Sequence, residues 1–429
     1  VKQVLELPLP LLPPPNDLMT GQEPPSGGFF IGINTVLGIK MHQAKISSQQ
    51  ERNLVSPMWD FLLLGGGSVI ALLLIKLIFL TYEKEEGAAL SLMLTLFLSN
   101  LINHPHFAHS YQIFYSNFRE KIESLKYEGS LRSRYFFVGI VLPPLIIGGL
   151  LCPLFLELPR VFGLAANTMF FFVGWHYVKQ GYGMAMLDAA LKKKFFSSVE
   201  KKSLLQNAYA VWIFSWILIN FSLQSNSAKY FGVSYLVVPI PVWLLAISAV
   251  GCAWFSCRLF LMLVRRFRSD VPLPVNGVVA YLVTLYVWLL FRDPIVILWI
   301  PLFHSLQYLT VVWRFKVNKI TSERSSSVSP VYRIAIFAVI GFGLGYMAFW
   351  RFPEWLDANI SYNKEIFGPS AFFYISWIFI NVHHYFIDSI MWRKGNMDVM
   401  QYLFESSVPV AAPKGEKDRS SPETGVATT

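Results

Sequence analysis

The sequence predicts an all-α fold, a polytopic transmembrane bundle of about ten spans with both termini cytoplasmic. Three observations carry that reading. The 429 residues are 54% hydrophobic and only 14% charged, where an average soluble domain carries roughly 25% charged residues. With 26 Asp and Glu in all, the chain is short of what a water-facing surface of this size needs, whereas a surface facing lipid needs no such cover. The apolar residues also gather into stretches of about 20, the length that crosses a bilayer. Finally, the Lys and Arg residues fall in every second loop. The net charge of +10 therefore arises from short basic clusters between apolar stretches. That is the pattern of cytoplasmic loops, and it excludes nucleic acid as a partner in favour of the bilayer.

Residues 1–57 stand outside the bundle as a disordered or loosely attached segment. They contain the run LPLPLLPPP and no long apolar stretch. Met41, followed by a polar and basic run, is a candidate native start. The membrane domain covers 58–394 and a polar cytoplasmic tail covers 395–429, disordered from about Ser406. Ten spans are predicted at 59–82, 88–114, 135–156, 161–187, 204–223, 233–264, 274–291, 294–313, 332–350 and 369–392. The sixth is long and carries Pro239 and Pro241, which predict a bend or a tilt. The turn Arg292-Asp293-Pro294 separates the seventh and eighth. Basic clusters follow the second span (Arg119, Lys121, Lys126), the fourth (Lys192, Lys193, Lys194), the sixth (Arg265, Arg266, Arg268), the eighth (Arg314, Lys316, Lys319) and the tenth (Arg393, Lys394). The odd loops are poor in positive charge, and this alternation sets the orientation. Cys152, Cys252 and Cys257 all lie in apolar stretches and predict packing, with no disulfide framework.

Of the eight histidines, His42 lies in the N-terminal segment. The other seven are His104, His106, His109, His176, His304, His383 and His384, all in or at the end of a span. Ionisable residues in a membrane are costly and mark functional sites. These occur only in the second, fourth, eighth and tenth spans, which all run from outside to inside. Their offsets to the next cytoplasmic basic residue place them within about 10 Å of one depth at 1.5 Å per residue. The segments HSLQYLTVVWR and HHYFIDSIMWR put His304 and His383 at the same offset before a Trp-Arg pair. His106, His176, His304 and His383 are accordingly the predicted ligands of one metal ion. His104, His109 and His384 are alternatives, with Asp388 and Tyr308 as supporting groups. Neutral imidazole is a common metal ligand and suits iron, copper or zinc. The plainer use of such rings is interhelical hydrogen bonding. The Gly65-Gly66-Gly67 run predicts close helix packing. The scarcity of carboxylates argues against a di-iron centre built on Glu-x-x-His, and phosphate-binding loops and a nucleophile elbow are missing.

At these histidines the chain resembles the bacterial β-carotene dioxygenase (Brp/Blh) family. The counterparts are Pro105-His106, His176 within GWHYVKQGYG, His304-Ser305 within PLFHSLQY, and His383 with Ile387-Asp388 and Arg393. The sequence departs from the family pattern where His109 and Ser110 stand in place of an Asp, and where Tyr308 stands in place of a second His. The resemblance implies a multi-pass protein of the bacterial cytoplasmic membrane holding non-haem Fe(II), and oxidation of a lipophilic substrate such as a carotenoid or another lipid. Two other functions remain open from the residues alone. One is a b-type haem electron carrier with two axial histidines. The other is a transporter whose histidines relay protons.

Overall fold

The computed structural model describes residues 52–404, apart from 82–83, 225–227, 291–293, 324–327 and 394. The expectations for His42, for a start at Met41, for Arg292-Asp293 and for the tail beyond 404 lie outside the described residues. Ten apolar helices organise the rest. They are α1 Pro57–Ile78, α2 Glu85–Tyr115, α3 Gly129–Phe155, α4 Pro159–Leu191, α5 Ser198–Leu223, α6 Val242–Arg268, α7 Val275–Leu290, α8 Pro294–Ser322, α9 Pro330–Asn359 and α10 Ala371–Met391. Seven of them, α1 to α6 and α9, are long and apolar enough to cross a membrane. Their outer faces carry Leu73, Val250, Trp254, Phe260 and Val339, each more than 60% exposed. So large an apolar exterior belongs in lipid.

Burial ranks the helices. Fifteen of the 21 residues of α10 are buried, against three of the 27 in α6. The first is the hub of the bundle and the second lies at its rim. A helix wrapped by other helices can carry polar side chains that a lipid-facing one cannot. That is why α10 holds His383, His384 and Asp388 within a mostly apolar run.

Prolines shape the spans. Three π-helical turns, Ser99–Asn103, Phe137–Val141 and Met347–Arg351, each end two residues before a proline: Pro105, Pro143 and Pro353. A proline inside a helix has no N–H to give, and its ring crowds the carbonyl four residues back. Widening the preceding turn by one residue relieves both conflicts without ending the helix. The fourth π turn, Leu62–Gly66, has another cause. Its Gly65 leaves the helical conformation, and a Cβ there would stand 3.1 Å from the Ala280 backbone of α7, so the glycine run does serve close packing.

The sixth predicted span begins later than expected. Residues 233–241 belong to a loop in which Lys229–Tyr230 pairs antiparallel with Val233–Ser234. Phe231 and Gly232 have positive φ at the two turn positions, the geometry of a tight hairpin. The helix starts at Val242, directly after Pro239 and Pro241, because an extended Pro-x-Pro cannot continue a helix backwards. The loop is held by Asn220, whose Oδ1 accepts from Val238 N at 2.9 Å, and by Asn167, whose Nδ2 donates to Leu236 O at 2.9 Å.

Both margins of the membrane domain extend past their predicted limits. Leu54 is buried, and Asp60 accepts from Leu54 N and Val55 N at 2.8 Å. A further helix, Met397–Phe404, falls in the stretch assigned to the tail but packs on the bundle through Val399 and Leu403. Its terminal carbonyls are met by Arg52, Arg314 and Asn318, cations and an amide placed where a helix C-terminus needs donors. The three cysteines are free.

Candidate metal centre

Four imidazoles from four helices meet in the interior. His106 of α2 and His384 of α10 approach Nε2 to Nε2 at 3.2 Å, and so do His176 of α4 and His304 of α8. All four are at least 95% buried. Two overlapping groups have donor atoms within 4.8 Å of one another: His106, His304 and His384, and His176, His384 and Asp388. With metal–nitrogen bonds of 2.0–2.1 Å, tetrahedral ligand atoms stand roughly 3.4 Å apart. The two 3.2 Å pairs match that edge length, and each of the two three-residue groups, which share His384, could hold a transition-metal ion.

His106 is oriented by its own helix, and His176 and His304 by tyrosines of neighbouring helices. The Pro105 π turn ends at Asn103, whose carbonyl lies 2.7 Å from His106 Nδ1. A carbonyl can only accept, so Nδ1 carries the proton and Nε2 presents its lone pair to the cluster. Outer hydrogen bonds of this type orient metal-binding histidines. Ser305 Oγ adds a contact at 2.9 Å and donates to Asn103 Oδ1. His304 stacks on Tyr177 at 4.0 Å and His176 on Tyr385 at 4.4 Å between centroids. His304 Nδ1 and His384 Nδ1 have no hydrogen-bond partner. The polar contacts of these two rings therefore lie inside the cluster.

Asp388, one turn after His384, closes one side. Its Oδ2 is 3.3 Å from His384 Nε2 and 3.7 Å from His176 Nε2. Its Oδ1 accepts from Tyr308 at 2.7 Å, and the Tyr308 oxygen in turn accepts from Trp392 Nε1 at 3.2 Å and contacts Ser110 Oγ at 2.7 Å. Tyr308 and Ser110, two of the places where the sequence departs from the family pattern, thus bind each other and hold the carboxylate. Beside His304, a cavity of about 20 Å³ is lined by Tyr177, Thr284, Ile300, Phe303 and Gln307, room for about one water molecule. Gln180, unremarked in the sequence, donates there to His304 O and Gln307 Oε1.

Three of the four predicted rings, His106, His176 and His304, come together. The fourth does not. His383 turns out of the cluster, where its Nδ1 meets Tyr111 Oη at 2.8 Å and its Nε2 meets Val138 O at 2.8 Å. His384 takes its place. The matched Trp-Arg offset selects depth along a helix axis but not direction around it, and consecutive residues point about 100° apart. The same rule disperses the HPHFAH histidines. His104 stacks on Phe349 at 4.4 Å and contacts Asn100. His109 stacks on Phe337 at 4.2 Å.

Both dispersed rings lie under α9. Gly341 faces the His109 ring and Gly345 faces the His104 backbone. These two glycines form a Gly-x-x-x-Gly spacing that lets two helices approach closely, a signal legible in the sequence. Ser305 had a signal of its own in its adjacency to His304. Comparison of the chain with family models, with curated proteins and with solved structures finds no match.

Proposed function

We propose that this chain is an integral membrane metalloenzyme, a mononuclear non-haem iron oxygenase acting on a lipophilic substrate. The observation that carries the reading is the approach of four imidazoles from four helices, with two Nε2 pairs at 3.2 Å and two three-residue groups, sharing His384, that could hold a metal ion. His106, His176, His304 and His384 would hold the ion, with Asp388 beside it as a fifth donor or as the orienter of the rings. The ion, when bound, supplies oxygen activation. The protein supplies the lone pair fixed on His106 Nε2, the Tyr308 hydrogen bond that keeps Asp388 in place, and an apolar surround that excludes water from reactive species. Iron and a carotenoid-like or other lipid substrate come from the resemblance to the β-carotene dioxygenase family, since histidine ligands alone suit zinc and copper equally.

The membrane frame extends the same proposal. Ten spans with cytoplasmic termini put the centre in the cytoplasmic half of a bacterial cytoplasmic membrane, reached by substrate through lipid. A b-type haem fits the geometry poorly. Axial rings must flank a flat macrocycle, and here the Nε2 atoms touch one another with Tyr177, Tyr308 and Tyr385 packed around them.

Metal analysis and an absorption spectrum of the purified full chain test the reading. About one iron per chain without a Soret band supports it. A protein that neither retains nor takes up a transition metal overturns it and favours proton relay through the histidine–Asp388 cluster.

A further inference from the structure

His383, turned away from the cluster, is not idle. Val138 O can only accept, so His383 Nε2 carries the ring proton and Nδ1 is a bare acceptor. The Tyr111 hydroxyl at 2.8 Å therefore donates to Nδ1. A phenol whose hydrogen bond ends on a basic nitrogen is set up to lose its electron and its proton together. The pair also adjoins the metal centre along two helices. His383 directly precedes His384, and Tyr111 follows His106 by five residues, about 7.5 Å along the helix axis. On its far side, Tyr111 stacks on Tyr115 with centroids 6.2 Å apart. Tyr115 is 37% exposed and donates to Gly139 O at 2.9 Å. An aromatic route thus runs from beside the cluster to the protein surface.

We propose that Tyr111 and His383 form a redox pair through which the histidine centre exchanges single electrons with the surface by way of Tyr115. The proposal rests on the redox-metal reading above. Tyr111 gives one electron to the metal ion in its oxidised state, which is thereby reduced by one unit. The Tyr111 O–H bond breaks as its proton crosses to His383 Nδ1, where an N–H bond forms. His383 is then an imidazolium that keeps its Nε2–H on Val138 O, and Tyr111 is a neutral phenoxyl radical. Tyr115 returns an electron to Tyr111 as the proton comes back from Nδ1, and Tyr115 releases its own phenolic proton to water. A one-electron reductant outside the protein restores Tyr115, which regains a proton. The net effect drains oxidising equivalents from a centre that has activated oxygen without substrate, before they attack the ligand imidazoles.

The test uses the full chain in detergent, in two arms read by electron paramagnetic resonance. In the first, metal-free protein is photo-oxidised with a ruthenium tris-bipyridine sensitiser and persulfate. In the second, iron-loaded protein is mixed with hydrogen peroxide and freeze-quenched, with iron content measured on the same sample. Wild type is expected to give a tyrosyl radical signal in both arms, narrowed in protein grown on ring-deuterated tyrosine. Tyr111→Phe loses most of that signal, and His383→Asn, which cannot take the proton, weakens it while iron content stays unchanged. Should Tyr111→Phe fail to fold, the His383→Asn comparison and the deuterated wild type carry the decision. A signal of full size in both variants overturns the pair. Photo-oxidation at Tyr111 with no signal in an iron-replete second arm overturns its coupling to the centre. A chain that binds no iron, with the first arm intact, fails the metal reading and with it the coupling, while leaving the hydrogen-bonded pair established.

Discussion

His106 and His384, 278 residues apart in the chain, meet Nε2 to Nε2 at 3.2 Å inside the bundle. Two neutral nitrogens this close either share a proton or share an ion, and the two outcomes separate by mutation. Ala at His106, His176, His304 or His384 should each strip most of the bound metal, measured by elemental analysis after purification. Ala at His383 should leave the metal content near wild type, because both its ring nitrogens are engaged elsewhere. Metal loss in His383→Ala equal to that in His384→Ala would sink the assignment.

Asp388 and Tyr308 should separate by degree. Removing the carboxylate with Asp388→Asn takes away a donor 3.3 Å from His384 Nε2. Tyr308→Phe removes only the hydrogen bond that holds the other oxygen. Loss of an outer partner of this kind costs 10- to 100-fold in metal affinity in characterised sites. Competition with a chelator should therefore rank wild type tightest, Tyr308→Phe next and Asp388→Asn weakest. An unchanged affinity in Asp388→Asn would mean that the carboxylate serves packing alone.

The seam between α2 and α9 offers a test of fold in which rescue is the readout. A methyl at Gly341 would fall 2.2 Å from His109 Cε1, a side-chain atom, whereas one at Gly345 would fall 2.9 Å from the His104 backbone. Overpacking of this kind costs about 1–3 kcal/mol. Both Gly→Ala changes should lower the thermal midpoint in detergent. Adding His109→Ala should restore Gly341→Ala, and no side-chain truncation should restore Gly345→Ala. Failure of the His109 rescue would show that the helices can separate to relieve the clash.

Lys121 ties pH to stability at the membrane margin. It sits in the short helix Phe118–Glu123 and donates to Ile113 O and Phe114 O at 2.9 Å, capping α2. Burial, and after it the charge of Lys319, lowers its ammonium from 10.5 to about 8. Between those two values the unfolded chain holds a proton that the folded chain has released, so stability from this group rises with pH across that window. Below about 8 both states are protonated and the burial cost is constant. Thermal unfolding of wild type relative to Lys121→Gln should thus improve as pH rises from 8 towards 10.5, and a flat difference would refute the shift.

The topology has a direct readout. In a cysteine-free background, a cysteine placed near Asn359 should react with an impermeant thiol reagent from outside, and one near Lys193 should not. Lys193 lies in the basic stretch directly after α4, and reversal of the pattern would invert the orientation.

Sequence reasoning reached the helical fold because apolar length and charge spacing are one-dimensional signals. It reached three of the converging rings because His106, His176 and His304 share a depth, which is also a distance along the chain. It ranked His384 behind His383 because the choice between neighbours on a helix depends on azimuth, and azimuth is set by which face of α10 meets α2 and α4. The late start of α6 was legible in Pro239 and Pro241 as a break, though the hairpin before it was not, since its pairing depends on Phe231 and Gly232 together adopting positive φ. The helix Met397–Phe404 was too short to register beside twenty-residue spans.

The π turn before Pro105 has one more consequence. It uses one residue more for a turn than an α-helix does, so everything after Asn103 is turned by about 100° from where an unbroken α-helix would carry it. The faces on which His104, His106 and His109 lie are set by that one inserted position. Deleting a single residue within 99–103 would let this turn close as regular α-helix with His106 still facing His384, whereas closing it with every residue retained would swing His106 away and bring a neighbour round in its place. Any comparison of this helix with a regular counterpart accordingly requires a one-residue gap ahead of the histidines, and an ungapped alignment would pair the wrong ones.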